Sequence, residues 1–270
     1  MNYGLNIRFF ENALGLARAA EVAAKVGFTH LDYTPPVTED NWYAQMLEAE
    51  KIFAANGLTV HQTHAPFNRY GKYGDTHKLC LDRCAEATAY LGADFLVAHG
   101  DEFDFEALTY SPEAALEYNR NYFLPYLERA EKEGYKLAFE TVFADWDRPR
   151  FTAQADELYA LITSFESESA VCCWDFGHSH VSMKKEAPAQ IRRFGKLIQC
   201  THLHDNTGRD SHQIVMTGTI NWAETMQAFA DIGYGGILSL EFSHGSMQGP
   251  LAEELIRFSH LAAKELERYL

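Results

Sequence analysis

The chain has 270 residues, 47% hydrophobic and 13% aromatic, and its 23 Lys and Arg against 38 Asp and Glu leave a formal charge of −15. Its 18 Phe, 14 Tyr and 4 Trp supply more buriable surface than a disordered chain carries, and enough for a sizeable core. The acidic balance repels phosphate backbones on average, which disfavours a broad nucleic-acid surface and points to a small substrate.

From the N-terminus onward, short β-rich runs alternate with stretches of helical periodicity. The spacing predicts strands over 5–9, 28–32, 58–64, 94–99, 136–140, 170–175, 197–204 and 237–241. Helices are predicted over 12–26, 42–56, 76–91, 112–133, 152–165, 187–194, 222–232 and 250–269. Gly27, Gly57, Gly92 and Gly134 each precede a strand, where a left-handed glycine stops the helix before it. No Pro/Ser-rich linker divides the chain. Eight such units, at about the 250 residues of a closed barrel, predict one α/β domain over 1–270, a (β/α)8 TIM barrel. A doubly wound sheet is the alternative, weakened because no Gly-rich turn follows the first strand.

The N-terminus shows no secretory signal, and no apolar run approaches the roughly 18 residues of a membrane span, so a soluble, cytoplasmic protein is expected. Cys80, Cys84, Cys172, Cys173 and Cys200 are odd in number and irregular in spacing, and read as reduced thiols. Cys80 and Cys84, four apart on one helix, are expected to pack in the core.

In a barrel of this kind the site lies at the C-terminal ends of the strands. Strand three ends at His64, strand four at His99 and strand five at Glu140. Strand six ends in Asp175-Phe-Gly-His178, strand seven in His202-Leu-His204-Asp205 and strand eight in Glu241-Phe-Ser-His244. Glu140 and Glu241 close apolar runs, where an unpaired carboxylate costs several kcal/mol or is forced neutral. With Lys and Arg scarce at these positions, a bound divalent cation is the simplest counter-charge. Strand parity lets His202 and His204 share a face, and His204 could serve the site or only the core.

The motifs His64-Ala-Pro-Phe, Phe139-Glu140-Thr, Trp174-Asp175-Phe-Gly-His178, His202-Leu-His-Asp205-Asn, Asp210-Ser-His212, Gly218-Thr-Ile-Asn-Trp222 and Leu240-Glu241 follow one another on successive strands. In that order the chain resembles the xylose isomerase-like barrel superfamily of sugar isomerases and epimerases, inosose-processing enzymes and endonuclease IV. The resemblance implies that Glu140, Asp175, His202 and Glu241 hold one divalent cation, and that His178 and Arg209 contact substrate hydroxyls; the expected ion is Mn, Co, Mg or Zn, with three carboxylates and one imidazole suiting the harder ones. It implies further that Glu140 and Glu241 take and return a proton beside a carbonyl, through an enediolate stabilised by the cation. The additional zinc ligands of endonuclease IV match His64, His99, His178, Asp210 and His212. A zinc phosphoesterase acting on abasic DNA is therefore a rival, although the loop from His202 to Asp210 is shorter than expected for it. A non-catalytic sugar- or metal-binding barrel is a third reading.

Aromatics stand after several strands (Tyr33, Phe67, Phe103, Phe105, Trp146, Trp222), where they could wall a sugar pocket or pack in the core. The positives after strands three, five and six (Arg69, Lys72, Arg148, Arg150, Lys184, Lys185) read as an ordinary solvated face. The expected partner is a small sugar or polyol, with homo-oligomerisation allowed and no membrane.

Overall fold

The computed structural model describes residues 1–68, 76–100, 111–144 and 149–270. Arg69, Lys72, Phe103, Phe105, Trp146 and Arg148 lie outside the described residues. Eight parallel strands, β1 (Asn2–Asn6), β2 (His30–Tyr33), β3 (Thr59–His64), β4 (Phe95–Ala98), β5 (Lys136–Glu140), β6 (Ala170–Asp175), β7 (Ile198–His202) and β8 (Ile237–Leu240), pair in chain order. β8 returns to β1, with Tyr3 opposite Leu238, and this excludes the doubly wound sheet. β7 and β8 meet through Leu203, whose N–H donates to Ser239 O (2.7 Å) and whose carbonyl accepts from Glu241 N (3.1 Å), so the barrel is nearly closed.

Two N-terminal expectations are corrected. The first strand is Asn2–Asn6, because Ile7 already has helical backbone and Ile7 and Phe10 are both buried, the three-residue spacing of a helix face rather than a strand. The helix expected over 12–26 is two, α1 (Arg8–Leu14) and α2 (Leu16–Val26), broken at Gly15 with φ +75°. Then come α3 (Trp42–Ala55), α4 (Thr76–Leu91), α5 (Pro112–Glu133), α6 (Ala155–Ser164), α7 (Phe176–Ser182), α8 (Ala187–Phe194), α9 (Trp222–Asp231) and α10 (Pro250–Glu265). The short α7 was not expected. It is started by Asp175, whose Oδ1 accepts the His178 N–H at 2.6 Å as an N-cap.

Strand parity divides the core. The outward faces pack under the helices, while Phe95, Val97, Ala138, Val171, Cys173 and Cys200 form a separate apolar cluster. Ala138 lies two residues before Glu140, Cys173 two before Asp175 and Cys200 two before His202, so these three ligand candidates stand on the face of small apolar residues. All five cysteines are free and buried, and burial pushes the Cys173 thiol well up.

The chain between β7 and α9 is cinched by Asp205. Its Oδ2 accepts from Trp222 Nε1 (2.8 Å), and its Oδ1 accepts from the N–H groups of Asn206 (2.8 Å) and Ile220 (3.2 Å). Its backbone pairs with Gln213 in both directions at 2.8 Å, looping out the segment that carries Asp210 and His212. Gly218 makes the closure sterically feasible, since a Cβ there would lie 2.2 Å from Asp205 Oδ1 and 2.4 Å from Asn206 O. Gly218→Ala is expected to cost roughly 1–3 kcal/mol in urea unfolding, with a shifted midpoint and an unchanged slope.

Candidate metal centre and active site

The tops of β3 to β8 converge on Glu140. Its Oε2 lies 2.9 Å from His64 Nε2 and 2.8 Å from His99 Nε2, and its Oε1 lies 3.2 Å from His178 Nδ1 and 3.0 Å from His202 Nδ1. His202 Nδ1 also stands 3.5 Å from Glu241 and 4.0 Å from Asp175. Asp175 contacts His204 Nε2 at 3.1 Å and His178 Nδ1 at 3.4 Å. Asp210 lies 3.3 Å from His212 Nε2 and 3.7 Å from His178 Nε2.

These side chains form three groups whose candidate ligand atoms lie within 4.8 Å of one another. The central one is Glu140, Asp175, His202 and Glu241, all buried. On one flank are His64 and His99 with Glu140, and on the other His178, His204, Asp210 and His212. Nine of the ten residues named from sequence are thus brought together. Arg209 is not: it is exposed on the loop after β7 and does not line the cavity. His204 joins the site, its ring stacked on His212 at 4.1 Å and pressed against Gly177, where a Cβ would come within 1.9 Å of it.

The hydrogen bonds show that the donor set fits a cation. His64 Nδ1 bonds Ala65 O (2.7 Å), His178 Nδ1 bonds Thr141 O (2.9 Å) and His212 Nδ1 bonds Glu241 O (3.0 Å). A carbonyl can only accept, so each Nδ1 carries a proton and a neutral ring points its Nε2 lone pair inward, the arrangement typical of metal-ligating histidines. Those lone pairs face carboxylate oxygens, and the two repel unless a proton or a cation lies between them. His202 supplies the sharpest case. It is fully buried, and neither ring nitrogen has an aligned hydrogen-bond partner among the described residues, although Nδ1 faces three carboxylates.

Protonated imidazole is the other counter-charge the centre offers. Burial alone would lower His178 and His202, but the facing Asp175 and Glu140 outweigh it and hold both imidazoles well above their usual range. Burial would raise Glu140, yet His202 and His99 hold it well below the carboxylate range. His99 is pushed down to about 4, chiefly by burial.

Several contributors were not read from sequence. Asp32, at the end of β2, is fully buried with its Oδ2 3.0 Å from His202 Nε2. Asn6, at the true end of β1, donates from Nδ2 to Asp32 Oδ2 (3.1 Å) and Glu241 Oε1 (3.2 Å). The cavity above the centre, about 960 Å³, is lined by Glu140, Asp210 and Glu241, by His64, His99, His178 and His212, and by Phe9, Phe67, Phe143, Arg8 and Arg150. Arg150 departs from the solvated face expected of it. It is 4% exposed, its guanidinium over the Phe67 and Phe143 rings at 4.6 and 4.3 Å and its Nη1 donating to Phe143 O (2.9 Å). Tyr33 and Trp222 are core residues and not part of the cavity wall.

Comparison with known proteins agrees with this architecture. An uncharacterized protein of Methanocaldococcus jannaschii is 24% identical over 193 residues, covering 68% of this chain and 64% of that relative. A crystal structure of D-psicose 3-epimerase determined in the presence of D-fructose superposes with a TM-score of 0.78 at 14% identity, covering 98% of this chain and 99% of that one. A D-tagatose 3-epimerase-like protein superposes with a TM-score of 0.75 at 20% identity, covering 98% of this chain and all of that one. At these identities the likeness is one of fold. The family profile described as xylose isomerase-like TIM barrel matches residues 20–261, and the chain belongs to that family.

Proposed function

We propose that the protein is a divalent-metal-dependent sugar or polyol isomerase or epimerase. The observation that carries this reading is the central group of three buried carboxylates and one imidazole, two members of which, Glu140 and Glu241, line a cavity of sugar size. The names of the epimerases that share the fold support the substrate class. Glu140, Asp175, His202 and Glu241 would hold the cation. When bound, it supplies positive charge beside the substrate carbonyl, which makes the neighbouring carbon acidic enough for a carboxylate base.

The chain's own groups do the rest. Glu140 and Glu241, both lining the cavity, are the acid–base pair that takes a proton from one face of the carbon and returns it. Asn6 fixes Oε1 of Glu241, leaving Oε2 for the proton. His64, His99 and His178 crowd Glu140 and reach the same cavity, where they can hold substrate hydroxyls. Phe9, Phe67 and Phe143 give an apolar wall that suits the C–H face of a sugar and keeps water from a carbanionic intermediate.

A second reading is a metal-assisted phosphoesterase of the abasic-site endonuclease kind. It is favoured by the two imidazole-rich groups that flank the central one, since several clustered zinc ions can activate water and stabilise a leaving phosphate oxygen.

Two measurements test the reading. Glu140→Gln and Glu241→Gln are each expected to lower the rate of deuterium uptake from D2O into a ketose roughly 10²–10⁴-fold, followed by NMR. Undiminished exchange in either variant rules out the two-glutamate mechanism. Elemental analysis is expected to find a Mn, Co or Mg content near one per chain, with exchange abolished by a chelator and restored by the ion. Three zinc ions per chain together with cleavage of an abasic duplex would establish the phosphoesterase instead.

A further inference from the structure

We infer that Asp32 is a positioning residue that fixes the ring of His202 for metal binding. The inference rests on the metal-dependent reading above. Asn6, Asp32 and Gln62 stand in register on β1, β2 and β3, and all three are buried. Such a polar row inside a barrel is costly unless it serves something. Asn6 Nδ2 and Gln62 Nε2 both donate to Asp32 Oδ2, at 3.1 and 3.3 Å, so the carboxylate is held from two sides. Its same oxygen then lies 3.0 Å from His202 Nε2, on the side of the ring away from the other acids.

The consequence is a choice of tautomer. Carboxylates face both ring nitrogens, so once a cation meets those at Nδ1, the charge of Asp32, 3.0 Å from Nε2 though not in an aligned hydrogen bond, would keep the proton on Nε2 and leave the lone pair on Nδ1. Nδ1 is the nitrogen that faces Glu140, Glu241 and Asp175, at 3.0, 3.5 and 4.0 Å. The row also reaches a second member of the centre, because Asn6 Nδ2 is shared between Asp32 and Glu241 Oε1. Asp32 touches no cavity surface and lies outside the reacting groups, so its effect on chemistry passes through His202.

The test is Asp32→Asn in the full chain, stripped with chelator and titrated with Mn²⁺ by calorimetry, with wild type alongside. The expected result is a 10–100-fold weaker Mn²⁺ affinity. In the Zn²⁺-loaded protein labelled with ¹⁵N-histidine, wild type is expected to show His202 protonated at Nε2, and the variant to lose that signature. A purely structural role would lower thermal stability and leave the tautomer and the affinity as in wild type. Asp32→Glu, which keeps the charge and displaces it by one methylene, is expected to weaken Mn²⁺ binding in the same direction and covers the case in which the Asn variant does not fold. Unchanged affinity and tautomer in a variant that folds, with wild type binding Mn²⁺, overturns the role of Asp32 and leaves the metal reading standing. A wild-type chain that binds no divalent cation overturns both.

Discussion

The constraint on which the molecule turns is the gathering of five carboxylates, the buried Asp32, Glu140, Asp175 and Glu241 and the half-buried Asp210, at one end of a barrel that holds an apolar cluster below them. Anions so placed cannot all remain charged without compensation. The compensation nearest to hand is imidazole, since His64, His99, His178, His202, His204 and His212 each lie within 4 Å of one of those acids. Imidazole can meet a carboxylate either as a protonated cation or as a neutral ligand sharing a metal. The backbone carbonyls that take the Nδ1 protons of His64, His178 and His212 leave both options open at Nε2 and orient the rings for the second.

The fold delivers this density by repetition. In a closed parallel barrel every strand ends at the same rim, so one suitable residue per strand puts six side chains around one point. Parity does the sorting: the same alternation that fills the barrel with Ala138, Cys173 and Cys200 carries Glu140, Asp175 and His202, each two residues further on, to its mouth. Asp210 and His212 come from a loop and need other means. Asp205, held by a tryptophan N–H and two backbone N–H groups, cinches that loop, and His212 is tied across to the end of β8 through Glu241 O.

What could be read from the chain follows from the same geometry. Glu140, Asp175 and Glu241 stood out because a carboxylate closing an apolar strand is a local pattern, while His202 joined them through the family resemblance. Asn6 did not, because Leu5, Ile7 and Phe9 alternate as a strand would, and only the tertiary fit shows Ile7 and Phe10 turning into a helix. Asp32 carried a legible signal, since it closes the second predicted strand as Glu140 closes the fifth, and its partner across the barrel was beyond any local pattern. Arg150 looked like one of several solvated positives. Its burial between Phe67 and Phe143 depends on loops from different strands meeting, which periodicity does not encode. The helix α7 was hidden because Asp175 reads as a strand end, while its side chain also caps the turn that carries His178.

One cation and three differ in what they ask of the imidazoles. A single divalent ion in the central group leaves most of the carboxylate charge to be met by protons, and His64, His178 and His204 are held above their ordinary range by Glu140 and Asp175 in spite of burial. Protonated, His64 and His178, which line the cavity, become hydrogen-bond donors that suit the hydroxyls of a sugar. A cation on each flank would use the same nitrogens as lone pairs, expel those protons and turn the floor into a set of Lewis acids, which suits a phosphate. His99 differs from its neighbours, because burial pushes it down to about 4 and it stays neutral beside a Glu140 that is already ionised. The chemistry of the centre is therefore decided by which positive species occupies the gaps between fixed imidazoles and fixed carboxylates, a proton or a metal, more than by the residues that frame them.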